Sequence, residues 1–150
     1  MSQNVLAATY PDLFAAGIVY SGVPAGCFYT GTVNGWNSEC SGGTFIQSQE
    51  AWAQTARDMY PGYTGEYPRM LIYHGLGDTT LSGNNYAETI KQWTGVFGYA
   101  EEPESTTPDS PIAGYTWETY GPRLAGAWSP TEGHNLPRFT DADLAWFGFV

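Results

Sequence analysis

Short apolar runs alternate with segments of helical periodicity along this chain, and that alternation narrows the possible folds more than any other feature. Phe14 to Ser21 is uncharged and rich in β-branched and small residues, which predicts a strand buried on both faces. Met70 to His74 predicts a second buried strand. Asn84 to Phe97 places Tyr86, Ile90, Trp93 and Phe97 at helical spacing, and Ser48 to Met59 does the same with Trp52, Ala56 and Met59. Ser2 to Thr9 reads as a helix stopped by Tyr10-Pro11-Asp12. Tyr115 to Tyr120 alternates as a strand, followed by a short extended piece, a loop around His134, and a helix opened by Thr140-Asp141-Ala142-Asp143. Gly22 to Thr44 and Glu101 to Gly114 read as loops. Strands alternating with helices imply an α/β protein, with a mainly parallel sheet and flanking helices, in one domain over residues 1–150.

The charge balance removes whole classes of partner. Five Lys plus Arg face fifteen Asp plus Glu, a net charge of -10, and Lys91 is the only lysine. Such a surface repels phosphate backbones and anionic lipid, which speaks against nucleic acid and membrane partners. No apolar run approaches the ~20 residues of a membrane span. Met1-Ser2-Gln3-Asn4 lacks the basic start of a signal peptide, so a secreted protein would carry its signal upstream. Low charge, abundant Gly and Pro and 16% aromatics are frequent among extracellular enzymes that act on carbohydrate polymers, which sets secretion as the expectation.

Cys27 and Cys40 share the loop rich in Gly, Asn and Ser. In an oxidising compartment they close it as a disulfide worth roughly 3 kcal/mol; in a reducing cytosol they are free thiols. Two distant cysteines and two histidines offer no zinc spacing, so neither metal nor cofactor is expected.

Two residues have the types and surroundings of an acid and base pair. Asp78 follows Ile72-Tyr73-His74-Gly75-Leu76-Gly77, where a strand opens into a Gly-rich turn, and His134 follows Gly133 on a late loop. A serine hydroxyl is a poor nucleophile until an imidazole accepts its proton, and a carboxylate must hold that imidazole in the right tautomer. The competing reading is an aspartate that caps a turn and a histidine bonded to a backbone carbonyl. No serine sits in Gly-x-Ser-x-Gly: Ser21 lies between Tyr20 and Gly22, and Ser41 in Cys40-Ser41-Gly42. Both read as turn residues. His74 reads as a structural residue packing the Asp78 turn.

Longer stretches resemble a known family. Asn4-Val5-Leu6-Ala7-Ala8-Thr9-Tyr10-Pro11-Asp12-Leu13-Phe14, Tyr20-Ser21-Gly22-Val23-Pro24-Ala25-Gly26-Cys27-Phe28, Trp36-Asn37, Met59-Tyr60-Pro61-Gly62-Tyr63-Thr64-Gly65, Ile72-Tyr73-His74-Gly75 with Asp78-Thr79-Thr80-Leu81, and Gly133-His134 are similar to the fungal acetyl xylan esterases of carbohydrate esterase family 1. Feruloyl esterases and polyhydroxybutyrate depolymerases are neighbouring members. The resemblance implies a serine esterase of α/β-hydrolase fold that removes acetyl groups from xylan, with Asp78 as triad acid and His134 as general base. The chain order would be Ser, Asp, His with its first member outside this chain, Met1 falling a few residues past the nucleophile elbow. This chain would then be a C-terminal portion, inactive alone. The lost strands would leave the Phe14–Ser21 edge open to a missing N-terminal segment or to self-association.

Trp36, an aromatic in the Gly-rich loop, reads either as core or as the wall of an acyl pocket that binds substrate; Trp52, Trp93 and Trp146 on helix faces read as core. Two further classes compete with the esterase: a noncatalytic carbohydrate-binding module, and a glycosidase using two of Glu50, Glu66 and Glu132. Acetate release against reducing-sugar release separates the glycosidase from the esterase.

Overall fold

The computed structural model describes residues 2–150; Met1, read above as lying just past a nucleophile elbow, falls outside them. Five strands form one sheet: β1 (Ala16–Tyr20), β2 (Arg69–Gly75), β3 (Ser105–Pro108), β4 (Thr116–Gly121) and β5 (Leu124–Ser129), in the order β1-β2-β5-β4-β3. The helices are α1 (Ser2–Thr9), the short α2 (Ser38–Ser41), α3 (Gln49–Arg57), α4 (Asn84–Phe97) and α5 (Thr140–Phe147).

The sheet is mixed rather than mainly parallel. β1, β2 and β5 run parallel, whereas β5, β4 and β3 are joined antiparallel. The turn Pro122-Arg123 is too short for a crossover, so β5 must return beside β4 in the opposite sense. β3 lies inside the stretch expected to be loop; Ser105-Thr106-Thr107-Pro108 is exposed throughout, and an all-polar edge strand carries no hydrophobic signature. The short extended piece is β5, which lies between β2 and β4.

β2 shows why its sequence has to be apolar. Met70 and Ile72 face α1, α3 and α4, in a core with Ala8, Ala56, Ile90, Trp93 and Leu124. Leu71 and Tyr73 face the other way, toward Phe139 and the half-buried Trp146 of α5. Successive side chains of a strand point to opposite faces, so a strand with helices on both sides carries a near-continuous apolar run, here Met70 to Tyr73. β1 departs from the expectation of burial on both faces: among its residues only Val19 is buried, because β1 is the last strand on its side of the sheet among the described residues.

A third cluster gathers Val23, Cys27, Cys40, Trp52 and Leu81, with Cys27 and Cys40 joined as a disulfide. The loop around them is tied down by polar groups. Asn37 caps α2, its Oδ1 accepting from the N–H groups of Glu39 and Cys40, while its Nδ2 donates to the Cys27 carbonyl at 3.1 Å. Trp52 and Trp93 are fully buried, as their helical spacing predicts, and each indole N–H has a partner: Glu88 Oε2 for Trp52 and Asn4 Oδ1 for Trp93.

Candidate active site

The parallel strands β2 and β5 end side by side, and the turns that leave them cross. Leu76 N–H donates to the Ser129 carbonyl at 2.8 Å and Gly77 N–H to the Glu132 carbonyl at 3.0 Å. This crossing needs glycine. A Cβ on Gly75 would lie 2.1 Å from the Glu132 carbonyl oxygen, and one on Gly77 would lie 2.8 Å from that of Thr131. The Gly-rich character of the Asp78 turn is therefore a requirement of the His134 loop pressing on it.

Asp78 is held from both oxygens. Its Oδ1 accepts from the backbone N–H groups of Thr80 at 2.7 Å and Leu81 at 2.9 Å, an arrangement that folds the turn back on itself. Its Oδ2 accepts from His134 Nδ1 at 2.8 Å. The Asp78 side chain is fully buried while that of His134 is 40% exposed, so one edge of the imidazole is anchored and the ring reaches solvent. An Nδ1–H donor fixes the tautomer in which Nε2 keeps its lone pair. Asp78 thus folds a turn with one oxygen and accepts from a histidine with the other.

His134 is fixed from behind as well. Ser21, at the end of β1, donates from Oγ to the His134 backbone carbonyl at 2.8 Å, and its own N–H bonds to the Tyr73 carbonyl at 2.9 Å. Ser21 is buried and holds φ of 46°, a left-handed backbone that costs a residue with a Cβ. It reads as a turn residue in sequence, and no local signal points to a bond with a group 113 positions away.

His74 is buried behind this pair, with Nε2 donating to the Leu81 carbonyl at 2.9 Å and thereby closing the turn across its base. Asp78 Oδ2 is 3.6 Å from the same nitrogen, too far for a hydrogen bond. Burial pushes the His74 pKa below its usual value, against the opposing effects of the Leu81 bond and of Asp78. The unfolded chain then takes up a proton near pH 6.5 that the folded chain refuses, so stability present above that pH is lost as the pH falls. Denaturant titrations at pH 7.5 and pH 5 should show the fall, and His74→Gln should flatten it; an unchanged slope would rule His74 out as its source.

The other candidate residues lie elsewhere. Trp36 is 61% exposed in the disulfide loop and its indole packs on Phe28, with ring centroids 4.9 Å apart. Glu50 and Glu66 are side chains on the surface, paired with Arg57 and Arg123. Among the described residues no group of three His, Cys, Asp or Glu is placed to hold a metal ion.

Comparison with known proteins carries the rest. The chain is 55% identical over 153 aligned residues to a probable acetylxylan esterase A of Aspergillus fumigatus, covering all of this chain and 41% of that protein. It is 54% identical to acetylxylan esterase A of Aspergillus ficuum, covering all of this chain and 50% of that protein. Over its whole length this chain is similar to acetylxylan esterases. Its fold superposes on the solved acetyl xylan esterase from Aspergillus awamori with a TM-score of 0.98 at 52% identity, over all of this chain and 56% of that one. No protein-family model matches. The chain thus spans about half the length of the acetylxylan esterases it matches.

Proposed function

We propose that this chain carries the acid and base of a secreted serine carboxylesterase that removes acetyl groups from xylan, with Asp78 as the orienting acid and His134 as the general base. The observation that carries the reading is the bond from His134 Nδ1 to the buried Asp78, which leaves the far edge of the ring for a substrate-side proton. Asp78 selects the tautomer, and Nε2 takes the proton from an attacking serine hydroxyl, then returns it to the leaving sugar oxygen. On this reading the chain is a C-terminal part of an α/β-hydrolase fold. The serine, and part of the hydrogen-bonding site for the developing oxyanion, would come from the half of its relatives' length that this chain does not span.

The comparisons support acetyl as the acyl group and acetylated xylan as the substrate, through the names of the relatives. Secretion is supported by the disulfide, and no described helix is long and apolar enough to cross a membrane. The test is acetate release from acetylated xylan by the 150-residue chain and by a version extended to its relatives' length, each probed with a serine-directed organophosphonate. The extended protein should turn over and be labelled, and the shorter chain should do neither. Turnover by the shorter chain that His134→Ala abolishes would move the nucleophile to a serine within it.

Trp36 belongs to the same proposal as a wall of the acyl pocket. An exposed indole on a loop braced by a disulfide can be covered by a neighbouring segment and still hold its position. In the extended protein Trp36→Ala should raise turnover of propionyl and butyryl esters relative to acetyl, by roughly tenfold if one or two methylenes are accommodated. An unchanged acyl preference would remove Trp36 from the pocket.

A further inference from the structure

A cavity of about 400 Å³ lies between the start of α4 and the β4–β5 pair, walled by Leu76, Ser82, Asn84, Tyr86, Glu118 and Trp128. Leu76 and Ser82 belong to the turn whose other side presents Asp78 to His134, so this cavity and the candidate active site share one segment of backbone. All of its lining residues are described ones, on the side of the sheet away from β1.

Its polar group is set up in advance. Glu118 Oε2 accepts from the phenol of Tyr86 at 2.8 Å and from that of Tyr120 at 2.7 Å. Both phenols are buried, and burial before any other cause pushes both pKa values up, so both keep their protons and act as donors. Tyr86 reaches Glu118 because β5 has glycine at the crossing point: a Cβ on Gly126 would lie 2.2 Å from the Tyr86 hydroxyl. Two donors therefore fix the carboxylate in place, while its Oε1 makes no hydrogen bond among the described residues. Trp128 stands beside it on the same face of the sheet, half-buried, since its partner Thr116 is two residues from Glu118 on β4.

We propose that this cavity is a subsite for a neutral pyranose residue of a polysaccharide chain, with Glu118 accepting from a pair of sugar hydroxyls and Trp128 stacking on the apolar ring face. A pre-oriented acceptor beside a flat apolar wall suits a ring that is polar at its edge and apolar on its face. A carboxylate in the cavity wall, in a chain of net charge -10, disfavours phosphate and uronate ligands. The choice of a xylan chain as the polymer rests on the esterase reading above; the preference for a neutral sugar rests on the cavity.

The experiment titrates the 150-residue chain with xylohexaose and with maltohexaose, following backbone and indole N–H resonances. Xylohexaose should give saturable shifts at the Trp128 indole and around Glu118, with Kd on the order of millimolar, and maltohexaose weaker ones. Trp128→Ala and the isosteric Glu118→Gln should each weaken binding about tenfold or more, a loss of about 1.4 kcal/mol, with circular dichroism confirming the fold. No saturable shift at Trp128 up to tens of millimolar, shifts confined to another surface, or variants that bind like the parent would each overturn the subsite. A chain that does not bind, with an extended protein that still releases acetate, defeats the subsite alone. Binding without acetate release by the extended protein defeats the esterase reading and leaves the sugar site.

Discussion

Asp78→Asn in the protein extended to its relatives' length is expected to lower kcat by on the order of 10⁴, with KM little changed. The size follows from the hydrogen bonds that the side chain already makes. Asp78 accepts from Thr80 and Leu81 on one oxygen and from His134 on the other. An asparagine in the same rotamer must keep its single oxygen toward the two backbone N–H groups, because both are paired with it and its amide cannot accept. The amide NH2 then faces His134, whose Nδ1 has to become the acceptor, and the ring proton moves to Nε2. A histidine protonated at Nε2 cannot take a proton from a serine. The 150-residue chain offers a second readout that needs no turnover: nitrogen chemical shifts of His134 should report Nδ1–H in the parent and Nε2–H in the variant. Unchanged shifts would show that Asp78 does not set the tautomer, whatever the activity does.

The site was legible in sequence to the extent that it depends on local chemistry. Asp78 stands out because glycines surround it, and those glycines are there because the His134 loop lies against them. α4 was readable over Asn84–Phe97 because Tyr86, Ile90 and Trp93 bury one face. β5 was harder to weigh: Leu124-Ala125-Gly126-Ala127 is built of small residues between two strands, so a central strand reads as a short extended piece. Its small residues answer to the neighbouring helix, since Gly126 admits the Tyr86 hydroxyl. Strand direction was legible in part: helices between strands imply the parallel pairing found for β1, β2 and β5, whereas side-chain alternation is the same in both senses and only the tight turn after β4 marked the antiparallel return. The role of Ser21 lay furthest from reach, being a single bond to a carbonyl in the His134 loop.

Removing the Cys27–Cys40 disulfide by replacing both cysteines with alanine should lower unfolding free energy by about 3 kcal/mol, within the 2–5 kcal/mol that small secreted domains lose. The separation of 13 residues sets the entropic part, since the bridge restricts a loop of that length in the unfolded chain. Alanine avoids adding hydroxyls to the apolar cluster that both sulfurs occupy. The same cluster contains Leu81, whose N–H holds Asp78 Oδ1 and whose carbonyl holds His74. The Cys40 carbonyl also accepts from Asn85 near the start of α4 at 3.0 Å, so the loop is fastened to the helix that follows the Asp78 turn. Loosening the loop should therefore reach the acid and base pair. The His134 Nδ1–H resonance is expected to be broader and to exchange faster in the variant than in the bridged chain, at temperatures where both proteins remain folded. Denaturant titration measures the first effect and proton exchange at His134 the second. A stability loss with no change at His134 would confine the disulfide to the loop it closes; a loss at both would make it a support of the Asp78 turn.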